Sequence, residues 1–106
     1  MTGKISTDFD GVLCDRKGIP RNGNWRECEP VPDSLEAIKF LTTKYVVYIS
    51  TNRPQKEWID IKEWLEGYGF PKMTVTNKKL PDTIAYIDDR AIRFENNWLS
   101  ICKYFG

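Results

Sequence analysis

The sequence predicts a single α/β domain built on a doubly wound, mostly parallel sheet, and three observations predict it. Short β-branched or aromatic runs alternate with segments of helical periodicity, the pattern of parallel strands joined by crossover helices. The run Tyr45-Val46-Val47-Tyr48-Ile49 is apolar throughout, as expected of a strand buried on both faces. Asp8, Thr51 and Asp88 each sit where a predicted strand ends, and in such sheets functional groups gather at the carboxyl ends of strands.

The elements follow in order. Residues 4–7 read as the first strand, placed at the centre of the sheet, running directly into Asp8. Residues 11–32 hold three glycines and three prolines among scattered charge, so they read as a connection too long to be a simple turn, a flap over the strand ends. Asp33-Ser34-Leu35-Glu36 has the spacing of a helix capping box, and Leu35, Ile38 and Leu41 then recur at helical spacing. Pro54 suits the first turn of a second helix, whose apolar stripe is Trp58, Ile61, Leu65 and Tyr68 and which Gly67 or Gly69 ends. Residues 73–76 and 83–87 read as two more strands. A last helix over 97–104 is expected to pack Trp98, Ile101 and Phe105 onto the sheet.

Composition narrows the chemistry. The 106 residues, 41% hydrophobic and 29% charged, make one globular domain, residues 1–106. A formal charge of +1 gives no general pull towards polyanions. The chain has no histidine, which removes histidine-based nucleophilic systems and histidine-ligated zinc. No segment reads as a signal or membrane span. Cys14, Cys28 and Cys102 form an odd set without CxxC spacing. The expectation is a cytoplasmic protein with reduced thiols.

Four motifs carry chemistry. Asp8-Phe9-Asp10-Gly11 places two carboxylates two residues apart after a strand, in a turn that Gly11 permits. Such a pair can supply a nucleophile and a general acid/base. Ser50-Thr51-Asn52-Arg53-Pro54 puts hydroxyls beside a helix N-terminus, where a phosphoryl oxygen is readily bound; read alone, Thr51 or Ser50 equally serves as a helix cap. Lys78 and Lys79 precede the last strand and would offset carboxylate repulsion, though two lysines in a loop are also an ordinary solvated surface. Asp88-Asp89-Arg90 follows that strand. Two acids brought near other acids call for a cation between them, and oxygen ligands suit Mg²⁺; salt bridges to Arg90 or Arg93 are the alternative.

In this order the motifs resemble those of the haloacid dehalogenase superfamily of phosphatases, over nearly the whole chain. The resemblance implies a Rossmann-like sheet without a separate cap domain and with a short flap at about 11–32. It implies Asp8 as nucleophile, Asp10 as general acid/base, and Thr51 and Lys79 as catalytic partners, with Ser50 and Lys78 as runners-up. Asn52 and Arg53 are then substrate-binding residues, and Asp8, Asp10 (through its carbonyl), Asp88 and Asp89 hold Mg²⁺. Val12 and Leu80 depart from the usual pattern, where threonine and proline are common. Receiver domains use similar residues but carry the acidic pair at the first strand; here it comes last.

The expected activity is hydrolysis of a phosphomonoester through an aspartyl-phosphate. The expected partner is a phosphorylated small molecule or a nucleic-acid end, with no membrane. A polynucleotide 3′-phosphatase, a phosphotransferase of the same chemistry and a non-catalytic metal-binding module are the alternatives. Arg21, Asn24, Trp25 and Arg26 of the flap are placed to meet a substrate, with Trp25 either stacking a base or sugar or plugging the core.

Overall fold

A computed structural model describes residues 3–19 and 23–106; Arg21 lies outside the described residues. Four strands, β1 (Lys4–Asp8), β2 (Val46–Ser50), β3 (Val75–Thr76) and β4 (Thr83–Ile87), form one sheet in the order β3-β2-β1-β4. All pairings are parallel. The chain is therefore α/β, and β1 is an inner strand as expected.

Helices α1 (Ser34–Thr42) and α2 (Trp58–Gly67) make the crossovers from β1 to β2 and from β2 to β3. Alternation along the strands turns Ile5, Val47, Ile49 and Val75 towards one shared core with Ile38 of α1 and Ile61, Trp64 and Leu65 of α2. Tyr48 and Ser6, side by side in register, point to the other face. Tyr48 is closed over there by its own hydroxyl, which lies 2.7 Å from Thr83 Oγ1 and accepts from the Leu80 amide at 3.1 Å.

Trp64, absent from the stripe read in the sequence, belongs to the core. Its ring meets Phe9 edge-on at 5.2 Å and stacks against Phe70 at 5.9 Å, and its indole N–H donates to the Cys28 carbonyl at 3.0 Å. Helix α2 ends as expected at a glycine. Gly69 has φ +84°, its amide donates to Glu66 O, and the Phe70 amide donates to Leu65 O. These two bonds are a Schellman ending, and they drop Phe70 and Leu65 into the core together.

Three expectations need correction. Asp33 is left-handed (φ 69°) and its side chain caps nothing, because the turn following Pro32 swings the carboxylate away from the first-turn amides. Cys14 and Cys28 are joined in a disulfide. The flap folds back on itself through bridges of Cys14 to Asp10 and to Pro30, which sets the two Cα atoms 6.0 Å apart in the core, a separation usual for a disulfide. Helix α3 (Trp98–Phe105) forms where expected but buries no residue; Trp98 is 66% and Phe105 72% exposed. Among the described residues no helix is long and apolar enough to cross a membrane.

Removing the Trp64 ring leaves a void against Phe9 and Phe70 and strands the Cys28 carbonyl. Trp64→Ala should lower the unfolding free energy by about 3–5 kcal/mol, read from urea denaturation. A loss below about 1 kcal/mol would mean that these ring contacts do not hold the core together.

Candidate active site

The turn after β1 is built around Phe9. Its side chain is fully buried between Trp25 (5.3 Å, edge-on) and Trp64. Its carbonyl accepts from the amides of Leu13 and Cys14, both at 3.0 Å. With Phe9 turned inwards, Asp8 and Asp10 both turn towards the strand ends.

Asp8 meets the far end of the chain there. The register Thr7↔Ile87 makes β1 and β4 end level, so the next residues emerge together. Carboxylate oxygens of Asp8, Asp88 and Asp89 lie within 4.8 Å of one another. Asp8 is half-buried and its Oδ1 accepts from the Phe9 amide at 2.8 Å. Asp88 Oδ1 accepts from the Arg90 amide at 2.7 Å, which orients that carboxylate. Asp89 presses against Gly11, where an added Cβ would stand 2.6 Å from Asp89 Oδ2 and the backbone has φ +80°. Glycine at position 11 is thus required twice, by conformation and by space.

Asp10 takes a different partner. Arg53 donates to it through both sides of the guanidinium, Nε to Oδ2 at 2.9 Å and Nη2 to Oδ1 at 2.7 Å, a bidentate pair of high directional specificity. Arg16 Nη1 stands 3.9 Å from the same carboxylate. Arg53 is itself held by Glu57 at 3.5 Å and lies 4.8 Å over the Trp25 ring. Trp25 is buried, donates its indole N–H to Glu57 and carries Arg26 on its ring at 4.6 Å. Trp25 is a plug under an arginine layer and has no face left to stack a substrate.

Thr51 is buried, and its Oγ1 accepts from the Arg53 amide at 3.1 Å, bracing the loop that aims Arg53. Ser50 is half-buried, in register with Asp8. Asn52 and Arg53 line the same open cleft, of about 1000 Å³, as Asp8, Asp10, Asp88 and Asp89. Lys79 does not line it: its Nζ lies 5.5 Å over the Tyr86 ring. Lys78 is exposed, with its amide bonded to Thr76. Two cleft cations, Arg16 and Arg90, were not singled out as site residues in the sequence. Arg90 carried a signal in its place beside the acidic pair; Arg16, one of three arginines in the flap, carried none.

Burial holds the Asp8 carboxyl above the ordinary aspartate value. The Phe9 amide opposes that shift, and the charges of Asp88, Asp10 and Asp89 add to it. Three oxygens this close are at or just outside the span of one small ion, since Mg–O bonds of about 2.1 Å put opposite ligands roughly 4 Å apart. An all-oxygen donor set suits Mg²⁺, so the residues fit the ion that the sequence implies.

With its pKa raised, Asp8 binds a proton more tightly in the folded chain than in the unfolded one. Stability therefore falls as pH rises from 3.8 through the raised value, and the loss is complete at neutral pH. Asp8→Asn keeps the shape and the bond from Phe9. In chelator, the variant should melt above the wild type at pH 7, with the gap closing at a pH below the ordinary aspartate value. A wild type that melts higher at pH 7 would contradict the raised Asp8 pKa.

No family model and no curated protein matches this chain. A solved structure of a conserved protein coded by a locus of Bacteroides thetaiotaomicron is similar to it with a TM-score of 0.65. It is 23% identical, and the match covers 99% of this chain and 90% of that one. At that identity the likeness concerns the fold alone.

Proposed function

We propose that the chain is a Mg²⁺-dependent phosphomonoester hydrolase of the haloacid dehalogenase type, with Asp8 as nucleophile. The observation that carries this is the convergence of Asp8 with Asp88 and Asp89, residues from opposite ends of the chain, at the mouth of one cleft. The reading includes a doubly wound sheet with no separate cap and a flap short enough to leave the cleft open.

In the first step an Asp8 carboxylate oxygen attacks phosphorus in line, and the bond from phosphorus to the ester oxygen breaks. The leaving alkoxide takes its proton from Asp10. In the second step Asp10 removes a proton from water, the hydroxide attacks phosphorus, and the bond to Asp8 breaks to release phosphate. Held by Asp8, Asp88, Asp89 and the Asp10 carbonyl, Mg²⁺ would supply charge neutralisation at the phosphoryl oxygens.

Arg53 orients Asp10 and, with Arg16, Arg90 and Asn52, gives the cleft its donors for a phosphoryl group. Thr51 supports the same loop from beneath. Lys79, expected beside the phosphoryl group, lies outside the cleft, so this charge role falls to the arginines. With Trp25 buried, a phosphorylated small molecule is favoured over a nucleic-acid end.

The test is hydrolysis of a panel of nucleotides, sugar phosphates and 3′-phosphorylated oligonucleotides with and without Mg²⁺. Turnover should need Mg²⁺ and should fall by several powers of ten in Asp8→Asn. Full activity in chelator, or an Asp8→Asn variant with more than a few per cent of wild-type turnover, would sink the mechanism.

A further inference from the structure

The C-terminal quarter of the chain breaks the pattern of the rest. Helix α3 is Trp-Leu-Ser-Ile-Cys-Lys-Tyr-Phe, with two polar residues in eight, yet it buries none of them. Leu99 is 81% and Tyr104 78% exposed, and Trp98 and Phe105 are little less so. Strand β4, which α3 follows, is equally bare: Ile84 is 61%, Tyr86 49% and Ile87 41% exposed. It is also an edge strand, and Thr83-Ile84-Ala85-Tyr86-Ile87 carries no charge. Natural proteins guard such edges with charge, proline or a covering element; the strand itself supplies none of these, and Lys79 Nζ lies 5.5 Å over its Tyr86 ring.

We propose that two copies of this chain form a two-fold dimer in which α3 of each copy covers β4 of the other. The structure names the occupant by complementarity. One chain offers both a helix that lacks a sheet and a strand that lacks a helix, so a reciprocal exchange satisfies both at once and closes.

The area is sufficient. Each aromatic side chain carries roughly 150–250 Å², so Trp98, Tyr104 and Phe105 bring several hundred Å² to the contact. The β4 strip, led by Ile84 and Tyr86, adds less, and the total of roughly 600 Å² per partner is at the lower end for a stable interface.

Shape agrees. The radius of gyration is 15.1 Å, against roughly 13 Å for a compact domain of this length, because α3 stands off the body. Residues 88–97 carry no regular element and join β4 to α3. The exchange completes the second helical layer of the sheet across two chains. It also braces β4 directly behind Asp88 and Asp89. The dimer does not depend on the phosphatase reading.

Light scattering on the purified chain at tens of micromolar, with reducing agent absent, should give twice the chain mass. The double variant Trp98→Glu/Tyr104→Glu should give the chain mass with its far-ultraviolet dichroism retained. Cys102, free and exposed on α3, supplies a second readout. Tyr86→Cys, and separately Ile84→Cys, oxidised with copper–phenanthroline, should link to Cys102 of the other copy and run as a covalent dimer on a non-reducing gel. A monomeric wild type would overturn the proposal. So would a link from Cys102 to residue 84 or 86 within one chain, since α3 would then close on its own sheet.

Discussion

The pairing of β1 with β4 is the constraint on which the rest of the structure depends. Two parallel strands about 4.8 Å apart end level at Thr7 and Ile87, so residues 8 and 88 leave the sheet side by side whatever their side chains are. Because those residues are acids, the fold assembles a cluster of like charge, and the Asp8 carboxyl, raised first by burial, is raised further by these neighbours. Much of the neighbouring structure serves to hold this arrangement. Phe9 is wedged between two tryptophans, Gly11 makes room for Asp89, and the Arg90 amide orients Asp88.

Two acids two residues apart end in opposite surroundings. Among the described residues no ion pair reaches Asp8, Asp88 or Asp89, whereas Asp10 is gripped by Arg53 and approached by Arg16. Environments that separate neighbouring carboxylates are how one site obtains distinct roles from one residue type. Here the division follows from β2: its end aims Arg53 through the Thr51 turn, and the Trp25–Glu57 layer fixes the guanidinium from behind. The flap therefore bears on the site through Trp25, which helps to pin Arg53 beside Asp10.

What the sequence revealed and what it hid divide along physical lines. Strand and helix positions depend on local periodicity, so β1, β2, β4, α1 and α3 were legible to within a residue or two, whereas α2 begins at Trp58, four residues beyond Pro54, after a short 3-10 turn over Gln55–Glu57. The gathering of Asp8 with Asp88 and Asp89 was legible because strand ends in a parallel sheet converge. Contacts made by the tertiary fold were not. Trp64 reads as one more helix residue until Phe9 and Phe70 arrive around it. Cys14 and Cys28 show no spacing signal, because the flap's fold-back brings them together. The place of Lys79 over Tyr86 and the failure of α3 to pack depend on how the segments around β4 are laid down, which no local pattern encodes.

The central claim is that the three acids form a cation site rather than a salt-bridged surface. Titrating Mg²⁺ into metal-free protein while following thermal unfolding tests it most directly. The wild type should gain stability as the ion binds the folded chain, by about 2.7 kcal/mol at a hundred times the Kd, and Asp89→Ala should gain none. An Asp89→Ala variant stabilised as fully as the wild type, or a wild type indifferent to Mg²⁺, would contradict it.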